Sequence, residues 1–263
     1  MDYIEKIRCL NQFLLEEMPE YQPQAQRFPQ DIASQRRLLR SLMNIRPPVP
    51  LNPQFLEMQN DLLSGEREEK GIVDTAELAV CAVHPKIAIW QGDITRLKAD
   101  AIVNAANRSL LGCFCPCHSC IDNAIHSAAG LQLREACSKI IQEQGTPEPN
   151  GQAKLTPGYN LPAQYVLHTV GPIVQGSVKP QDREDLAACY NSCLKLAEEN
   201  NLKTVAFCCI STGEFHFPNQ EAAEIAVKTV TGSLRHNTSI EKVIFNVFKD
   251  IDAEIYRKLC GTN

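Results

Sequence analysis

No stretch of this 263-residue chain approaches the ~18 consecutive apolar residues of a membrane-spanning helix. The start, Met1-Asp2-Tyr3-Ile4-Glu5-Lys6, has neither a basic n-region nor an apolar h-region, so no secretory signal is expected. Basic charge is not in excess either: 26 Lys and Arg stand against 31 Asp and Glu, a net charge of −5. A generic phosphate-backbone binder carries a basic surplus, so neither nucleic acid nor membrane is an expected partner. Internal repeats and long low-complexity segments are missing as well. Apolar residues make up 44% and charged residues 22%, an ordinary globular composition that excludes wholesale disorder. The length suits one large domain, or one domain with an extension. A cytoplasmic location is expected.

Cysteine is abundant, with twelve. A secreted disulfide framework is not expected in so long a chain. Eight are scattered (Cys9, Cys81, Cys137, Cys189, Cys193, Cys208, Cys209 and Cys260), mostly in apolar patterns that suit small buried hydrophobes. The other four, Cys113, Cys115, Cys117 and Cys120, crowd together around His118. In a reduced compartment that density points to a metal before disulfides.

Residues 1–80 read as a small helical extension. Ile4, Ile7, Leu10, Leu14 and Met18 recur at spacings of three and four, as do Leu38, Leu39, Leu42 and Ile45. Pro47-Pro48-Val49-Pro50 breaks the chain before a third helix through Phe55, Met58 and Leu62, which ends in the polar stretch 65–71. Residues 81–263 alternate strands and helices. Strands are expected at Lys86–Gln91, Ala101–Asn104, Tyr165–Val170, Val205–Ile210 and Lys242–Val247. Helices are expected from Asp122 to about Glu143, and at Asp182–Asn200, Pro218–Arg235 and Asp250–Leu259. The alternation predicts an α/β fold with a mostly parallel sheet, whose ligands bind at the carboxyl ends of the strands.

Four segments lie where those ends should be. Gln91-Gly92-Asp93-Ile94-Thr95 and Asn104-Ala105-Ala106-Asn107 each follow a strand, and each on its own reads equally as a turn. Gly112 to Asn123 holds the cysteine cluster. Ser211-Thr212-Gly213-Glu214-Phe215-His216-Phe217-Pro218 opens onto a helix, with Pro218 expected in its first turn. Small residues before a helix N-terminus can cradle a phosphate with their amides.

Together these motifs, with Ile-Asp-Asn-Ala-Ile-His-Ser-Ala-Ala-Gly, Leu-Thr-Pro-Gly-Tyr and His168-Thr-Val-Gly-Pro172, resemble the macrodomain family. The resemblance runs in order from about Ala82 to Leu259, roughly two thirds of the chain. It implies a three-layer α/β/α sandwich with an ADP-ribose pocket at the strand ends. Where most macrodomains carry a glycine-rich loop, this chain has Gly112-Cys113-Phe114-Cys115-Pro116-Cys117-His118-Ser119-Cys120. That loop, with the helical extension, is similar to the zinc-containing macrodomains. Those include proteins encoded beside sirtuin-type ADP-ribosyltransferases, and they act as protein-ADP-ribose hydrolases.

The resemblance implies one Zn2+, held by Cys113, His118 and Cys120 in the pattern Cys-x4-His-x-Cys. The residue types alone leave open a closed site that includes Cys115 or Cys117 and only shapes the loop. His118 and Cys120 would diverge by about 200° on a helix, so they belong to a loop, with the helix starting near Asp122. The family pattern further implies that Asp93 and Ile94 take the adenine and Asn107 the distal ribose. Ser211, Thr212, Gly213, Glu214 and Phe215 would wrap the diphosphate and that ribose. Asp122, with Asn107 and His118, forms the implied catalytic group, and Asp122 is equally placed to be a helix N-cap. Asn104 and Asn123 stand behind them. His126 and His168 read as packing or hydrogen-bonding residues. His216 reads as packing or as a neighbour of the ligand, and His84 and His236 have no suggestive neighbours. The expected reaction removes mono-ADP-ribose from protein side chains, where it is linked as an Asp or Glu ester, with free ADP-ribose as product. The alternative is a non-catalytic ADP-ribose reader with a structural zinc.

Overall fold

The computed structural model describes residues 1–236 and 239–262. The extension begins with α1 (Tyr3–Glu17), whose start is closed by a capping box between Asp2 and Glu5. A short turn of helix, α2 (Gln22–Ala25), leads to α3 (Ile32–Ile45), capped by Asp31, and α4 (Pro53–Lys70), capped by Asn52 with Pro53 at its first position. Ile7, Leu10, Leu14, Leu39, Leu42, Phe55 and Leu62 close into one apolar cluster. Leu131, from the body of the protein, is the plug that joins it. The polar stretch expected to end α4 is helical through Lys70, because Gly65 and the charged residues after it lie on or near the surface and need no apolar periodicity.

The body is a seven-stranded sheet in the order β2-β3-β9-β8-β5-β7-β6. Its strands are β2 (Val80–Cys81), β3 (His84–Gln91), β5 (Ala101–Ala105), β6 (Ala153–Pro157), β7 (Tyr165–Thr169), β8 (Thr204–Phe207) and β9 (Lys242–Val247). The five central strands run parallel, and both edges, β2 and β6, are antiparallel. A separate parallel pair joins β1 (Val73–Asp74) to β4 (Leu97–Lys98). The helices α5 (Ile121–Ala129), α6 (Leu131–Gln144), α7 (Pro180–Glu199), α8 (Asn219–Leu234) and α9 (Asp250–Cys260) flank the sheet. The core between sheet and helices is mainly apolar, with Ile102, Val103, Leu167, Tyr190, Phe207 and Phe245 buried.

Three expectations change. The single helix from Asp122 breaks at Gly130, whose φ of +98° is left-handed and whose missing Cβ leaves room for the Gln59 amide at 2.7 Å. The strand at Val205–Ile210 stops at Phe207, since Cys209 and Ile210 already turn toward the loop that follows. Pro218 is the N-cap of α8 and not its first-turn residue.

Candidate active site and metal centre

Parallel pairing aligns the carboxyl ends of β3, β5, β7, β8 and β9 on one side of the sheet. Asp93, Asn107, Gly171, Ser211 and Phe248 follow those ends in turn. The four expected segments therefore meet along one edge.

Asp93 caps a 3₁₀ turn over Ile94–Arg96. Its Oδ1 accepts from Thr95 N–H at 3.0 Å and from Thr95 Oγ1 at 2.7 Å. Oδ2 remains for another donor. Ile94 is buried beneath it. Phe248, directly after β9, is 75% exposed. Gly92 N–H, one residue before Asp93, bonds the Val247 carbonyl, one residue before Phe248, at 2.9 Å. That pairing brings the backbone of an exposed ring near a carboxylate with an oxygen to spare, a combination that suits a flat amino-bearing heterocycle. Sequence reasoning missed Phe248; the signal was an aromatic immediately after a buried strand.

The loop after β8 bonds to itself through Phe217 N–H to the Ser211 carbonyl and His216 N–H to the Gly213 carbonyl. Ser211 and His216 hold left-handed φ values of +65° and +56°. Among the described residues, the amides of Gly213, Glu214 and Phe215 have no hydrogen-bond partner in the chain, so this bend presents consecutive donors to an anion. Gly171 makes the close approach possible: a Cβ there would lie 2.1 Å from Ser211 Oγ. Thr212 turns its hydroxyl to the Cys209 carbonyl at 3.0 Å. His216 is exposed.

Asp122 sits in the first turn of α5 and is almost wholly buried, while Cys120 takes the N-cap position. Asn104 Nδ2 donates to Asp122 Oδ1 at 2.8 Å, Asn107 Nδ2 reaches Oδ2 at 3.4 Å, and His126 Nε2 lies 3.5 Å from Oδ1. Burial pushes the carboxyl up to about 6, against the lowering effect of Asn104 and of the Arg134 charge. Asn107 also donates to the Gly112 carbonyl at 3.0 Å, which ties Asp122 to the start of the cysteine loop. Asn123 turns away from this group: its Nδ2 donates to the Cys115 carbonyl at 3.0 Å and its Oδ1 accepts from Arg40 at 2.7 Å.

The side chains of Cys113, His118 and Cys120 converge, with ligand atoms within 4.8 Å of one another. Cys113 Sγ lies 3.7 Å from His118 Nδ1. A tetrahedral zinc with bonds of ~2.3 Å to sulfur and ~2.0 Å to nitrogen separates those atoms by about 3.5 Å, so the donor set fits. Cys115 is exposed, and Cys117 points its sulfur at Ser41 Oγ, 3.3 Å away. His118 Nε2 faces Glu214 Oε1 at 3.6 Å. An outer carboxylate on the second nitrogen of a ligating histidine is a recurrent support. The Glu214 carboxylate thus lies against the cysteine loop, while its backbone N–H stays in the bend expected at the diphosphate.

A second group, His126, Cys137 and His168, is fully buried beneath Asp122. His168 is engaged at both nitrogens, by Asn104 Nδ2 at 3.2 Å and Thr156 Oγ1 at 2.9 Å.

The Macro domain family model matches residues 103–226. A protein-ADP-ribose hydrolase of Treponema medium is 50% identical over 252 residues, which span 95% of this chain and 96% of that protein. A Fusarium oxysporum protein named "Probable bifunctional ADP-ribose hydrolase/ADP-ribosyltransferase" is 42% identical over 88% of this chain and 42% of its own length. The Trypanosoma brucei macrodomain solved in complex with ADP-ribose superposes with a TM-score of 0.66 at 30% identity, covering 83% of this chain and 94% of that one. With half its residues shared along nearly the whole of both chains, the protein belongs to the macro domain family, among the protein-ADP-ribose hydrolases.

Proposed function

We propose that the chain is a zinc-dependent hydrolase that removes mono-ADP-ribose from acidic protein side chains. The observation that carries this reading is the meeting of Cys113, His118 and Cys120 with Asp122 and the free amides of Gly213–Phe215 at one edge of the sheet. Asp93 Oδ2 accepts from the adenine amino group, and Phe248 stacks on the ring. The Gly213, Glu214 and Phe215 amides bind the diphosphate. Asn107 and Asp122 orient the distal ribose, and Asp122 holds the proton released from the attacking water. Zinc on the three ligands would supply Lewis acidity, either as a water of lowered pKa or as an anchor for ribose hydroxyls.

Water adds to C1 of the ribose or to the acyl carbon, the ester C–O bond breaks, and free ADP-ribose and the restored carboxylate leave. A carboxylate needs little protonation to depart, which suits a site without a strong general acid. The bifunctional name of the Fusarium relative supports a functional link to an ADP-ribosyltransferase, here of the sirtuin type. A metal site built on thiolates, which must stay reduced, suits the cytoplasm.

The test is release of ADP-ribose from proteins modified at Asp or Glu, at Ser and at Arg, each with and without a chelator. Release from Asp or Glu that the chelator abolishes is the expected result. Release from Ser or Arg alone would refute the linkage, and full release in the chelator would refute the metal dependence.

A further inference from the structure

The segment from Cys113 to Cys120 does little to hold itself. Among the described residues, the one backbone hydrogen bond within it joins His118 N–H to the Cys115 carbonyl at 3.2 Å. Cys117 holds a φ of +53°, a left-handed conformation that costs a non-glycine residue roughly 1–2 kcal/mol and so needs outside support.

That support comes from α3. Asn44, buried, accepts from Cys117 N–H at 2.9 Å and donates to Ser127 Oγ of α5 at 3.0 Å. Arg40 donates through Nη2 and Nε to Asn123 Oδ1 at 2.7 and 3.2 Å, and its Nη2 lies 3.4 Å from the carbonyl oxygen of His118 itself. Asn123 passes the contact on to the Cys115 carbonyl. Ser41 Oγ and the Arg37 carbonyl face Cys117 Sγ at 3.3 and 3.6 Å. Residues 37, 40, 41 and 44 follow the spacing of one helix face. The opposite face, with Leu38, Leu39 and Leu42, closes the apolar cluster of the extension. At the C-terminal end of α3, Arg134 donates to the Met43 and Arg46 carbonyls at 3.0 and 2.6 Å and to the Leu111 carbonyl at 2.6 Å, just before the loop.

We propose that α3 is the template of the metal loop, with Arg40 and Asn44 as positioning residues that set Cys113, His118 and Cys120 in ligand geometry before the metal arrives. The N-terminal extension is then a working part of the metal centre. The inference rests on the zinc reading above. Its physical basis is preorganisation: a ligand loop that is already folded loses less entropy on capturing an ion, and loss of outer-shell support typically lowers metal affinity about 10–100-fold.

The experiment measures zinc affinity of the full chain by competition with a chromogenic chelator, together with hydrogen exchange at the Cys117 amide in the metal-free protein. Asn44→Ala and Arg40→Ala should weaken zinc binding about 10–100-fold and speed that exchange. Arg40→Lys, which keeps a donor to Asn123, should recover part of the loss. Leu194→Ala, which weakens the core beneath α7 and away from α3, should leave zinc affinity within about threefold. Should Asn44→Ala fail to fold, Arg40→Ala carries the test. Undiminished affinity in the Arg40 and Asn44 variants, or an equal loss in Leu194→Ala, would overturn the template. An unaltered protein that takes up no zinc beyond the level of Cys113→Ser would overturn the metal reading itself, a result distinct from the other two.

Discussion

Asp93 combines a structural role with the adenine contact proposed for it. Its Oδ1 caps the turn at Thr95, so Asp93→Ala removes a cap worth about 1 kcal/mol as well as an acceptor for ligand. Asp93→Asn separates the two roles. The amide oxygen can keep the cap, while the amide nitrogen, a donor, then faces the adenine amino group. We expect Asp93→Asn to melt near the unaltered protein and to bind ADP-ribose about ten- to hundredfold more weakly, since a bond to a charged acceptor contributes ~1.5–3 kcal/mol. Calorimetry beside thermal melting checks both halves, and equal affinity would remove Asp93 from the adenine site. Asp93 stood out in the sequence as a Gly-Asp after a strand. The contact of Glu214 with His118 did not, because nothing in the spacing of two distant loops says that their side chains meet.

Elements meet at the site through a few close approaches. Gly171, after β7, lies against Ser211, after β8, although β5 runs between those two strands, and there is no room for a methyl group. Gly171→Ala must push the Ser211 loop outward. Overpacking of this kind costs about 1–3 kcal/mol, and here it also disturbs the amides of Gly213–Phe215. Urea unfolding should show that loss, and ADP-ribose should bind more weakly. Unchanged stability and affinity would mean that the loop yields freely and does not hold a preset bend.

At the scale of the whole molecule, the buried histidines tie stability to pH. The Asn104 amide is a donor to His168 Nδ1, so that nitrogen is an acceptor and the neutral ring carries its proton on Nε2, toward Thr156. Burial lowers its pKa from 6.5 to about 3, and burial likewise lowers that of His126. Between those values the unfolded chain binds a proton that the folded chain refuses. The contribution of His168 is therefore fully present above pH 6.5 and is lost progressively as pH falls toward 3, with a limiting slope of about 1.4 kcal/mol per pH unit. Urea unfolding at a series of pH values from 7 to 4 should show a fall that is shallower in His168→Gln. Equal slopes in the two proteins would exclude His168 as a source of acid sensitivity.

The sequence by itself determined what depends on near neighbours. Alternating β and α patterns, the apolar run of Lys242–Val247 and the three- and four-residue spacing of α1 and α3 arise from residues a few positions apart, and burial of those stripes leaves few other folds open. The cysteine loop was legible for the same reason, since Cys113, His118 and Cys120 are close in the chain. Local pattern failed where it was weak. β6 carries Lys154 and Thr156 and ends at Pro157 on an antiparallel edge, so its period is faint, and Gly130 interrupts a helical pattern without erasing it. Tertiary structure alone decided that the polar face of α3 backs the cysteine loop, that Asn123 braces this loop instead of facing Asp122's pocket, and that the end of β9, which leads into Phe248, lies beside the turn that carries Asp93. Those pairings join residues far apart in sequence. They follow from how the apolar faces of sheet, helices and extension pack together, a sum over the whole core that no single segment contains.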